Sequence, residues 1–281
     1  MTNRIITKWW AIFSLPTFLA FIFGFIAPFI IGIYLSFTTF TTISDAEWTG
    51  VENYLVALRD PVFMHALGLT ALFAIVTTLI VNVAAFFIAY MLNKAIRGAK
   101  LFRSAFFLPN LIGGIVLGYI WQLLLNGILS KWGLSLVLDA RYGFWGMVIV
   151  TCWQSIGYQM IIYIAGLQAI PQDLIEAAEV DGASSHQITF RIIVPLMMPT
   201  VTVCSFLTLT GGFKMFDQNL ALTGGAPSDS SAMLALDIYK TFYGRVGFEG
   251  VGQAKAVLFL VIVGAVALMQ NKLTRSKEVE S

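Results

Sequence analysis

Few residues in this chain have the means to do chemistry. Asp173, Glu176, Glu179 and Asp181 gather four carboxylates into one short stretch of a 281-residue chain that is only 11% charged. Carboxylates offer charge-assisted hydrogen bonds to arginine, and the small side chains of Ala177, Ala178 and Ala183 beside them would let another backbone or groove come close. That combination serves docking. A second group, polar or aromatic, sits inside otherwise apolar sequence: Asn110, Trp121, Trp153, Gln154, Tyr158 and Gln159. Such side chains hold a ligand through hydrogen bonds and ring faces, or pack helices through interhelical hydrogen bonds, and both readings are open. Lys214 and Asp217, spaced to share one helix face where an apolar run ends, read either as an ion pair at the outer interface or as groups beside a wet path.

Equipment for making or breaking bonds is missing. The sequence has no G-x-x-x-x-G-K-[ST] phosphate loop, no H-E-x-x-H and no G-x-S-x-G, and the glycines of GRVGFEGVG lack the G-x-G-x-x-G spacing. His65 and His186 fall in separate loops and read as surface residues. Cys152 and Cys204 lie in apolar runs as small hydrophobes, with no disulfide or metal pair expected. No catalytic residue and no metal site is expected.

The elements that position these groups belong to a membrane. The chain is 58% hydrophobic with a mean hydropathy of +0.82, and its charged fraction is far below the roughly 25% of soluble domains. A net charge of +2 with no long basic run gives no electrostatic grip on nucleic acid. Since about 20 apolar residues cross a bilayer, the charge-free runs predict six spans, near residues 12–37, 66–93, 104–126, 144–169, 196–213 and 252–271. The expected fold class is therefore all-α, a polytopic membrane protein, with residues 1–281 forming one transmembrane domain. Pro16, Pro28, Pro109 and Pro199 predict kinks, not loops. The last run is short, so it spans only if Lys255 and Lys272 snorkel or if the helix starts earlier, near Gly252. The uncharged run from Trp9 to Ser44 is too long for a signal peptide and reads as an uncleaved first span.

Orientation follows from lysine and arginine. With both termini inside, the cytoplasmic side holds ten of the 17 basic residues: Arg4, Lys8, Lys94, Arg97, Lys100, Arg103, Arg191, Lys272, Arg275 and Lys277. The first external loop carries Asp45, Glu47, Glu52 and Asp60 against Arg59 alone. Trp9, Trp10 and Tyr34 fit the interfacial belts.

The acidic stretch then falls in a cytoplasmic loop, residues 170–195. Pro171 suits the first turn of a short helix, Asp173 and Glu176 its positive N-terminal region, and Gly182 the left-handed residue that ends it. Ser184 or Ser185 would cap a second helix in which Ile188 and Ile192 share a face before Pro195 interrupts the ladder. By pattern alone this is either a docking knob or a solvated interfacial helix.

The stretch EAAEVDGASSHQITFRIIVP resembles the EAA loop of permease subunits of binding-protein-dependent ABC importers, with Glu176, Ala177 and Ala178, then Asp181, Gly182 and Ala183, then Ile193, Val194 and Pro195 in the family's pattern. GVENYLVALRDPVF, RGAKLFRSAFFLPNLIGGIVLGYIWQLLLN and FDQNLALTGGAP are similar to segments of the carbohydrate-importing branch, although Ala226 stands where relatives often carry glycine. The resemblance implies a six-helix, type I importer transmembrane domain in the bacterial inner membrane. It also implies a second homologous permease, a pair of cytoplasmic ABC ATPase subunits that carry the ATP and Mg this chain does not bind, and an extracytoplasmic solute-binding protein. Glu176 would face basic groups of the ATPase, Gly182 would permit the turn, and Ala177, Ala178 and Ala183 would pack at the contact. The substrate would be a sugar or sugar derivative, for which Asn110, Trp121, Trp153, Gln154, Tyr158, Gln159, Lys214 and Asp217 are the candidate contacts.

Two rival classes remain at this stage. An ion-coupled secondary carrier would keep ionisable groups at mid-membrane, where each costs about 2.5–3.5 kcal/mol even on the lenient insertion scale, and the spans offer almost none. A membrane scaffold without transport would need no sugar-permease segments.

Overall fold

A computed structural model describes the backbone of residues 2–93 and 98–275. Lys94, Arg97 and Lys277 of the charge tally lie outside the described residues, as do the side chains of Arg4, Lys8 and Arg275.

In chain order the elements are α1 (Thr2–Phe21), a π-helical turn (Ile22–Ile26), α2 (Ala27–Leu35), the two-residue strands β1 (Thr38–Thr39) and β2 (Glu47–Trp48), and α3 (Glu52–Arg59). Next come α4 (Pro61–Asn93), α5 (Ala99–Phe107), a 3-10 turn (Leu108–Leu111), α6 (Gly114–Leu129) and α7 (Ala140–Gln168). They are followed by α8 (Gln172–Val180), α9 (Ser185–Ile188), a π-helical segment (Thr189–Ile193), α10 (Val194–Leu196) and α11 (Met198–Phe213). The chain closes with α12 (Asp217–Leu222), α13 (Leu234–Gly244) and α14 (Glu249–Arg275). The fold is all-α in substance.

Among the described residues, five helical stretches are long and apolar enough to cross a bilayer: Ser14–Leu35, Pro61–Asn93, Gly114–Trp132, Ala140–Gln168 and Glu249–Thr274. A sixth is the pair Ser185–Leu196 and Met198–Phe213, bent by 65°. Two boundaries depart from the sequence expectation. The third span begins at Gly114, not near residue 104, because Pro109 does not merely kink a continuous helix. The chain passes through a 3-10 turn and extended backbone at Ile112 and Gly113 before α6 starts. The last span in chain order begins at Glu249, and Lys255 does not snorkel but is buried within it. In the first span the π turn precedes Pro28, whose ring in a regular α-ladder would collide with the carbonyl of Gly24, four residues back.

The chain divides into two compact units. The first comprises residues 1–60 and 238–259. There β1 pairs antiparallel with β2, and Phe37 stacks on Trp48 with ring centroids 5.4 Å apart. The Asp45 carboxyl accepts backbone N–H bonds from Thr42 at 2.8 Å and Thr41 at 2.9 Å, which hold it below the usual carboxylate range. Lys255 is fully buried and donates to Asp60 Oδ2 at 2.7 Å and to the Thr241 hydroxyl at 2.9 Å. Gly250 and Gly252 are small for a reason: a Cβ at either would strike the backbone of Thr38 or of Phe242.

The second unit comprises residues 61–237 and 260–281. One apolar cluster joins Phe73, Val81, Leu117, Phe144, Met147 and Leu222. Another, toward the loop at 170–195, joins Ala85, Ala89, Met160, Tyr163, Ile188 and Met197. Tyr163 donates to Asn82 Oδ1 at 2.7 Å, and Asn82 Nδ2 donates to the Thr208 hydroxyl at 2.9 Å, so one satisfied polar chain ties α7, α4 and α11 together. Arg103 closes the carbonyl end of α4 by donating to Leu92 O at 3.0 Å. Cys152 and Cys204 are free and buried.

Candidate functional site

The acidic stretch folds as two short helices around a turn. Pro171 is the cap of α8 in extended conformation, one residue ahead of the first turn where the sequence placed it. Gly182 takes φ +78°, a region open to glycine and strained for other residues, and it needs no room for packing. Of the two serines, Ser184 is the cap: it forms a reciprocal capping box with Gln187. Asp173, Glu176, Ala177 and Val180, spaced by one helical turn, all face outward.

Two details depart from expectation. Ala178 and Ala183 turn inward against the second apolar cluster, together with Ile175, so Ala177 alone of the three alanines lies on the outer face. The buried partner of Ile188 is Ile193, not Ile192. The intervening segment is π-helical, and its wider turn brings i and i+5, not i and i+4, to one side.

A cavity of about 440 Å³ opens among α4, α7, α11 and the start of α12. Asn110, Gln154, Tyr158, Gln159, Lys214 and Asp217 all line it. Trp121 and Trp153 do not; they meet edge to face at 5.3 Å beside the first apolar cluster. Lys214 and Asp217 share no helix, since α11 ends at Phe213 and the backbone at Phe216 (φ −129°, ψ −59°) separates them. No ion pair within 4.0 Å links them among the described residues.

The cavity wall is built by close approach. Gly114 and Gly118 lie one turn apart on α6, and a Cβ on them would come to 2.7 Å from Asp217 Cβ and 2.5 Å from Ala221 Cβ. Gly157 on α7 admits the carbonyl of Phe106 in the same way. Gln218 donates to Gln154 Oε1 at 2.6 Å, and Gln154 donates to Ile112 O at 2.9 Å, so amides join α12, α7 and the break before α6. Asn219, fully buried, holds the following loop by donating to Ser231 O at 2.8 Å and accepting from Met233 N at 2.8 Å.

Thr77, Thr151, Ser155, Thr208 and Gln218 also reach the cavity, and sequence reasoning passed over them. The threonines sit in apolar runs, where a hydroxyl commonly bonds a carbonyl one turn back, as Thr77 does with Phe73 O at 2.7 Å. Only Gln218, beside Asp217, carried a visible signal. Among the described residues Gln159 Oε1 and Thr151 Oγ1 have no hydrogen-bond partner, although Gln159 is 3% exposed. Buried polar atoms without partners are costly.

Residues 99–278 match the family described as binding-protein-dependent transport system inner membrane component. The chain is 41% identical over 280 residues to the probable starch degradation products transport system permease protein AmyD of Thermoanaerobacterium thermosulfurigenes, covering 97% of this chain and 96% of that one. It is 30% identical over 289 residues to the multiple sugar-binding transport system permease protein MsmF of Streptococcus mutans serotype c, covering 99% of each. A solved bacterial ABC transporter involved in the import of the acidic polysaccharide alginate has a chain of the same fold, with a TM-score of 0.82, 20% identity and 98% of both chains covered.

Proposed function

The chain belongs to the inner membrane components of binding-protein-dependent transport systems, among the sugar ABC importer permeases, and from that membership we propose that it forms, with a second homologous permease, the path by which a sugar or sugar derivative enters the cell. The whole chain acts as one permease domain with both termini in the cytoplasm. ATP and Mg are bound by a pair of partner ATPase subunits, and an extracytoplasmic solute-binding protein delivers the substrate.

The observation that carries the reading is the cavity. Its amides, hydroxyls and one phenol, with one charge of each sign at Lys214 and Asp217, suit a polyhydroxylated ligand. The names of the relatives support the class: AmyD with starch degradation products, MsmF with multiple sugars. On the opposite task, Glu176 and Ala177 on the outer face of α8 dock in a groove of the ATPase, and Gly182 sets the angle between α8 and α9. Asp181 ends α8, while Ala178 and Ala183 brace the knob from behind.

Proteoliposomes holding the complete assembly are expected to accumulate labelled oligosaccharide only with ATP on the ATPase side and binding protein on the other. Uptake by this chain alone on a proton or sodium gradient overturns the reading. Gly182→Val and Glu176→Lys should each uncouple ATP hydrolysis from uptake, with insertion of the permease unchanged; normal coupling in both would leave the loop a solvated interfacial helix.

A further inference from the structure

α3 leaves an apolar stripe uncovered although the helix is pinned in place. All but one of its side chains divide three ways by the helical period; Val56, 40% exposed, lies beyond the charged edge. Asn53 and Ala57 are buried, and Asn53 donates to Ser36 O at 3.0 Å and to Thr38 O at 2.8 Å. The Tyr54 hydroxyl lies 2.6 Å from Ser36 Oγ. Glu52 and Arg59, at i and i+7, form a charged edge. The capping residue Val51 with Leu55 and Leu58, at i, i+4 and i+7, makes the third face, and these are 60%, 49% and 51% exposed. Because Asn53 and Tyr54 fix the rotation of the helix, the fold itself imposes that exposure.

The neighbouring span indicates what covers the stripe. The helix of the first span continues to Leu35, and its apolar run ends there: Ser36, Thr38, Thr39, Thr41, Thr42, Ser44 and Asp45 follow in close succession. Leu35 therefore ends near the hydrocarbon boundary. The groups that hold α3, Ser36 and Thr38, follow immediately, so α3 lies at the level of the headgroups. Tyr34 and Trp48 are exposed at that level with ring centroids 6.0 Å apart, as aromatic residues of an interfacial belt are. Exposed apolar groups occur at Phe23 and Ile30 on the span, at Tyr34 and Trp48, and on the stripe.

We propose that α3 is an in-plane membrane anchor. Val51, Leu55 and Leu58 insert at the headgroup–acyl boundary of the leaflet at the C-terminal end of the first span, which is the outer leaflet in the orientation proposed above. Glu52 and Arg59 point to water. The edge carries one charge of each sign, so the anchoring is apolar and does not depend on anionic lipid. It holds the loop between the first two spans at a fixed depth.

Site-directed spin labelling tests this. Nitroxides are placed singly at positions 52, 55 and 58 of the full chain in its assembled complex, with Cys152 and Cys204 replaced by alanine, in phosphatidylethanolamine vesicles with and without phosphatidylglycerol. The ratio of oxygen to nickel-chelate accessibility is expected to be several-fold higher at 55 and 58 than at 52, and the same in both lipids. Nickel access at all three positions overturns the proposal in favour of a solvated helix. Exclusion of both reagents at 55 and 58 overturns it in favour of a protein partner. If labelled α3 fails to fold, quenching by dibrominated lipid is read instead as the share lost on Trp48→Phe; no loss likewise overturns the proposal. Neither readout involves transport, so each can fail independently of the importer reading.

Discussion

Two pairs of charges sit in this protein under opposite terms. Lys255 and Asp60 are joined at 2.7 Å with the ammonium fully buried. Lys214 and Asp217 line an open cavity and make no ion pair with each other. A lysine withdrawn from water keeps its charge only beside a carboxylate and further hydrogen bonds, whereas charges that water reaches need no mutual partner. The first pair therefore belongs to the architecture, and the second is free to meet a substrate or its water.

Breaking the buried pair should have the largest effect. Lys255→Met is expected to destabilise the chain by about 3–5 kcal/mol, because it leaves Asp60 beside an apolar side chain; thermal unfolding of the detergent-solubilised complex reads this. Adding Asp60→Leu should recover part of the loss, and failure to recover any would mean that Lys255 is held chiefly by other groups. The cavity pair should behave in reverse. Asp217→Asn and Lys214→Gln are each expected to change stability by no more than about 0.5 kcal/mol yet to lower uptake several-fold in the reconstituted assembly. A large stability loss there would make that pair architectural too.

The contrast also explains what the sequence could reveal. Lys255 and Asp60 stand 195 positions apart, so the lysine looked like a charge bounding a span and the aspartate like one acid of an external loop, and nothing local marked them as partners. The two short helices of the acidic loop were readable because their determinants are local: Gly182 at the turn and a serine cap, at Ser184, two residues on. Six of the eight polar or aromatic candidates in or beside the spans fall on one cavity, since polar groups in an apolar helix turn from lipid. Which of them face a cavity and which merely pack, as Trp121 and Trp153 do, depends on contacts between helices. The break before α6 was hidden for a similar reason: a membrane proline is compatible with a kink, and only neighbours such as Gln154, which takes the freed Ile112 carbonyl, permit a full interruption.

The π-helical segment Thr189–Ile193 makes the loop sensitive to length more than to composition. It holds one residue more than an α-helical path between the same ends. Loss of any one residue there would let the ladder relax to α-helix, turning everything N-terminal to it by about 100° relative to α11. The face bearing Glu176, Ala177 and Val180 would then point in a different direction with every side chain still present. A single-codon deletion would thus rotate the knob without altering its chemistry, so the segment acts as a phase setting between the fifth span and the surface it presents.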